Sequence, residues 1–167
     1  MLILLRIMMQ LAKVDFYNPI SQFIITVTNP PLKPLRRLIP GLWGVDFPAL
    51  LLAIVVQILG IVLLVALKGT LTSNLMPYVV YGVFGVFDIA LQLMFFALLA
   101  QIVISWVAPN SYHPMVILIR QLGDPIMAPF RRWIPPFGGL DFSPMIAILI
   151  IHILQNIVLP NILLSLT

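Results

Sequence analysis

Hydrophobic positions in this chain fall in long unbroken runs, without the strict alternation of strands or the single stripe of a soluble surface helix. The cleanest run covers 48–67, PALLLAIVVQILGIVLLVAL, interrupted only by Pro48, Gln57 and Gly60, and as a helix it crosses a hydrocarbon core of about 30 Å. The run from 77 to 107 would rise about 45 Å, so an interfacial stretch near 77–86 and a membrane helix near 87–107 are expected. A last span is expected at 144–160, carrying His152, Gln155 and Asn156. The opening run from Leu2 to Val14 rises only about 20 Å and contains Arg6, so a short or truncated first span is expected there.

Superposed on these runs is a repeat with an offset of 95 residues. It carries Tyr17 to Tyr112, Pro19 to Pro114, Pro34 to Pro129, Arg36 and Arg37 to Arg131 and Arg132, Pro40 to Pro135, Gly44 to Gly139 and Asp46 to Asp141. The expected fold is therefore an all-α membrane protein with about four transmembrane helices in two parallel tandem repeats, each a helix, an amphipathic loop and a helix. The first repeat takes 1–67, an extracytoplasmic connection 68–86, and the second repeat 87–167. Two spans per unit return the chain to its starting side, so both arginine loops face one way. Lys13, Lys33, Arg36, Arg37, Arg120, Arg131 and Arg132 lie on that side and Lys68 alone on the other, which puts the loops in the cytoplasm and the termini outside.

Within each loop, Asn18-Pro19 and His113-Pro114 resemble helix starts, and Pro30 and Pro125 are expected to end the short interfacial helices that follow. Adjacent arginines point about 100° apart on a helix, so one of each pair can reach phosphate while the other turns inward. Asp46 and Asp141, each ten residues after an arginine, can cap the next helix and accept from that arginine, with Gly44 and Gly139 supplying the reversal. Two readings stay open: an anchor at headgroup level, and a docking or anion-binding surface formed by Arg36, Arg37, Arg131 and Arg132.

The same offset pairs Arg6 with Gln101 and Gln57 with His152. These four form a candidate intramembrane polar cluster, either a pathway lining or interhelical hydrogen bonding. Asp88, counted from Ser105, is expected near the outer boundary of the membrane. Composition narrows the chemistry: the 167 residues are 62% hydrophobic and 8% charged, with five aspartates, no glutamate and no cysteine. Disulfides and thiolate sites are excluded, and no nucleophile, phosphate-loop or zinc motif is present, so no enzyme, cofactor or metal is expected. The net charge of +4 is assigned to lipid headgroups, with no nucleic acid partner expected.

The duplicated NPxxxPLRRxIPxxxGxDF and DPxxxPxRRxIPxxGGxDFSP pattern, with Ser105-Trp106 closing the third helix, resembles the YggT family of small bacterial inner-membrane proteins. The resemblance implies a multi-pass inner-membrane protein and a link to osmotic-shock tolerance and ion homeostasis, with plastid relatives linked to cytochrome assembly or nucleoid distribution. It supplies no catalytic residue. Together with the residues it favours a non-enzymatic protein that organises membrane components, with membrane lipids and a membrane protein or a second copy as partners. An ion or solute conduit, or a subunit of a transport system, is the alternative.

Overall fold

A computed structural model describes residues 1–39, 41, 45–133 and 143–166. The described residues are helical throughout apart from short connections. They form α1 (Leu2–Leu11), α2 (Pro19–Leu38), α3 (Phe47–Leu67), α4 (Met76–Val107), α5 (Pro114–Trp133), α6 (Ser143–Ile153) and α7 (Leu159–Leu166). A π turn at Leu154–Val158 joins α6 and α7 into one rod. Three of these, Phe47–Leu67, Met76–Val107 and Ser143–Leu164, are long and apolar enough to cross a membrane. The ten residues of α1 rise only about 15 Å, half the thickness of a hydrocarbon core, so length does not make α1 a fourth span.

Helix α4 is the centre, packed against α1, α3, α5, α6 and α7. It runs unbroken for 32 residues, about 48 Å, in place of the expected division near residue 86. The glycines inside it are contact points and not breaks. A Cβ on Gly82 would lie 2.3 Å from Ile58 Cγ1, and one on Gly85 2.6 Å from Gln57 Nε2, so their absence lets α3 approach closely.

The expected ends at Pro30 and Pro125 also give way to continuous helices. Pro30, Pro31 and Pro34 lie inside α2, and Pro125 and Pro129 inside α5. Each proline removes one hydrogen bond to the carbonyl four residues earlier. All five prolines are exposed, as are Thr26 and Val27, so the carbonyls released there face outward where water or headgroups can satisfy them. Helix α5 begins and ends 95 residues after α2. On α2 the inward face is Ser21, Ile24, Thr28 and Leu32, a helical spacing, while Phe23, Val27 and Lys33 face out.

Buried apolar side chains form three clusters. Leu4, Ile7, Leu32, Ala49, Ala53 and Val86 close the first half, and Leu98, Met127, Ala147 and Ile151 the second. Between them Met8, Met9, Val14, Ile24, Leu118 and Leu122 join α1, α2 and α5. Just beyond α1, Lys13 has a φ of 52°, and the Val14 N–H donates to the Met9 carbonyl at 2.9 Å. That left-handed turn buries Val14 and sends the chain toward α2.

Candidate functional site

The basic end of α2 folds against the start of α3. Asp46 is the N-cap of α3: Oδ1 accepts from the Ala49 N–H at 3.3 Å, and Oδ2 accepts from Arg36 Nη2. The carboxylate is nearly enclosed while the guanidinium is 39% exposed, so Arg36 bridges the interior and the surface. Gln10, Gly41 and Val45 join this pair around an open cavity of about 320 Å³. Arg37, next along the helix, is exposed. Pro40 and Gly44 lie outside the described residues.

In the second half Arg131 pairs with Asp124 at 3.5 Å, both about half exposed, and Arg132 is exposed. Asp141, Gly139 and Pro135 lie outside the described residues.

The two loops meet. Asn18 caps α2 by accepting the Ile20 N–H on Oδ1 at 2.9 Å, and its Nδ2 donates to the carbonyl of Pro114, the first residue of α5, at 2.7 Å. Beside it, the Asp15 N–H donates to Gln121 Oε1 at 3.1 Å. The N-terminal ends of α2 and α5 are therefore joined, and each arginine pair lies about 30 Å along its own helix from that junction.

Inside the bundle, Arg6 is 8% exposed and uses one nitrogen, Nη1, to donate to Thr28 Oγ1 at 2.7 Å, Asn29 Oδ1 at 2.9 Å and the Ile25 carbonyl at 3.3 Å. Gln101 donates from Nε2 to Asp124 Oδ1 at 3.1 Å. Gln57 packs on Gly85, and exposed His152 meets Asn156 Nδ2 through Nδ1 at 3.1 Å. No hydrogen bond among the described residues joins any two of Arg6, Gln57, Gln101 and His152. Each instead ties its own helix to a neighbour or to its own next turn.

The partners Thr28, Asn29 and Asp124 are absent from the sequence-level candidates, although the 95-residue offset that links Arg6 to Gln101 also links Asn29 to Asp124. Asp88 has a partner on the rod opposite. Gln155 Nε2 donates to Asp88 Oδ1 at 3.2 Å and to its carbonyl at 3.3 Å, and Gln155 lies in the middle of the span Ser143–Leu164. Asp88 is nineteen residues from the end of α4 and Gln155 twelve from the start of α6, so α4 overhangs α6 by about 10 Å at that end. Among the described residues no three of His, Cys, Asp or Glu gather as a metal site.

Among the described residues, helices around a central α4, three of them long and apolar enough to cross a membrane, carry basic ends and internal polar ties. The chain belongs to the CCB3/YggT family, whose pattern matches residues 1–67 and 80–162. An uncharacterized protein of Pseudomonas aeruginosa is 40% identical over 162 residues, 96% of this chain and 82% of its own length. The uncharacterized protein YggT of Escherichia coli K12 is 36% identical over 156 residues, 93% of this chain and 80% of its own. YlmG homolog protein 2, chloroplastic, of Arabidopsis thaliana is 38% identical over 55 residues, 33% of this chain and 22% of its own. No solved structure matches the chain.

Proposed function

We propose that this protein is a non-enzymatic bacterial inner-membrane protein that holds other membrane components at its cytoplasmic face, with osmotic and envelope stress tolerance as the outcome. The observation that carries this reading is the Asn18–Pro114 junction. It joins α2 and α5 into one two-armed unit bearing Arg36 and Arg37 on one arm and Arg131 and Arg132 on the other. In this reading both arms share one membrane face, and the excess of Lys and Arg supports the cytoplasmic side. The equal bounds of α2 and α5 at an offset of 95, and the equivalent Arg6–Asn29 and Gln101–Asp124 contacts, support a tandem repeat with α1 as a short fourth membrane segment.

Anchoring and docking use the same arginines, and a copurification experiment separates them. Replacing Arg36, Arg37, Arg131 and Arg132 with Gln is expected to abolish crosslinking to a membrane partner at unchanged insertion; retained crosslinks refute docking. Because the chain has no cysteine, single cysteines at positions 37, 132 and 68 test sidedness directly. An impermeant maleimide is expected to label 68 from outside, and 37 and 132 only after the membrane is opened. The conduit reading would require ion flux, and reconstituted protein is expected to show none.

A further inference from the structure

Asp88 lies in the apolar helix α4, twelve residues from its start and level with Gln155 of the apolar rod Ser143–Leu164, and an ionisable residue in such a helix is by default a functional candidate. Its described hydrogen-bond partners are neutral amides: Gln155 on Oδ1, and Gln92 Nε2 on Oδ2 at the longer distance of 3.5 Å. Among the described residues no Lys, Arg or His bonds to it.

The backbone opposite is irregular in the same place. Pro160 lacks the N–H that would continue the helical ladder to the carbonyls of Gln155 and Asn156, and the rod widens there into the π turn Leu154–Val158. Turns of this kind occur mainly as single insertions at functional sites, and irregular backbone at membrane depth is tolerated where it lines a cavity. An open cleft is present there: about 440 Å³ between α4 and the π turn, with Asp88, Gln92, Gln155 and Asn156 on its polar side. The remaining wall includes the aromatic rings of Tyr81 and Phe84 and the side chains of Leu159 and Leu163.

We infer that this cavity binds an organic ammonium ion carried on an apolar body. Asp88 is the counter-ion, the amide oxygens of Gln92, Gln155 and Asn156 are acceptors for its N–H groups, and Tyr81 and Phe84 offer ring faces to the cation. One carboxylate balances one positive charge, so a divalent ion would leave an excess. Size and lining favour an organic ion over a bare one: the open cleft of about 440 Å³ carries apolar side chains beside its polar side, and organic ligand sites begin near 300 Å³.

The test titrates the full-length protein in detergent with 4-phenylbutylammonium chloride and, separately, with the neutral 4-phenylbutanol and with sodium chloride. Expected is at least tenfold tighter binding of the ammonium than of the alcohol. Asp88→Asn should remove that difference with helical ellipticity and elution unchanged. Leu163→Trp, which fills the apolar end and keeps the carboxylate, should weaken the ammonium at least fivefold and so gives a second reading should Asp88→Asn fail to fold. Equal binding of alcohol and ammonium overturns the assignment in favour of an apolar cleft. Ammonium binding that survives in folded Asp88→Asn overturns it as well. Sodium binding that depends on Asp88, without ammonium binding, overturns it in favour of a bare ion, and self-association through this face that the ammonium does not disturb overturns it in favour of a second copy.

Discussion

Gln101 reaches from α4 to donate to Asp124 on α5 at 3.1 Å, at the same separation of 23 residues by which Arg6 on α1 reaches Asn29 on α2. In one half the charge is on the donor, in the other on the acceptor, so the contact persists while the charged member changes places.

That contact constrains Gly123. A Cβ there would lie 1.8 Å from Gln101 Oε1 and 3.0 Å from Cδ, so Gly123→Ala must push Gln101 away from Asp124. Because the end of a glutamine side chain can swing aside, the expected cost is that of the displaced hydrogen bond, about 0.5–1.5 kcal/mol in denaturation from mixed micelles. In a Gln101→Ala background Gly123→Ala should cost little more, since that hydrogen bond is already gone, and simple additivity of the two changes would contradict the contact.

For Arg6 the geometry separates charge from shape. All three acceptors converge on Nη1 alone, so the planar fork is not required. Arg6→Lys is expected to cost less than half of Arg6→Leu, which leaves the Asn29 and Ile25 oxygens without this donor and should cost about 1–3 kcal/mol. Equal losses in the same unfolding assay would show that the bidentate geometry matters.

Asp46 does two things and Arg36 one. Asp46→Ala removes a helix cap and an ion-pair acceptor together, an expected loss of about 2 kcal/mol. Arg36→Ala should cost no more than about 1 kcal/mol, because a guanidinium 39% exposed is already shared with solvent. Hydrogen exchange of the first turn of α3, including the Ala49 amide, should rise in the first variant and change little in the second.

Lys13 holds a left-handed φ of 52° without the hydrogen bonding that lets Asn or Asp tolerate it. Lys13→Gly is expected to stabilise the protein by about 0.5–1 kcal/mol, measured as a shift of the unfolding midpoint. A lower midpoint would mean that the lysine makes a contact worth more than its backbone strain.

The helical character and two of the apolar spans were legible in the sequence, because a run such as 48–67 has one stable outcome in lipid: the structure gives Phe47–Leu67, and Ser143–Leu164 where 144–160 was expected. Proline and glycine misled. Pro30 and Pro125 do not stop their helices, because an exposed helix face can leave a carbonyl to solvent, and Gly82 and Gly85 lie where α3 presses on α4. The internal ties to Asn29, Asp124 and Gln155 span 23 and 67 residues, and nothing local in a sequence announces such partners.

The Asn18–Pro114 junction has a consequence for how the chain can be divided. Lys68 to Leu75 forms an exposed strap between α3 and α4, whereas the halves also adhere through α3 on α4, α1 on α4 and α2 on α5. A break in the strap leaves those seams in place, so continuity of the polypeptide is dispensable for shape. Two half-genes expressed from separate promoters should reassemble the whole.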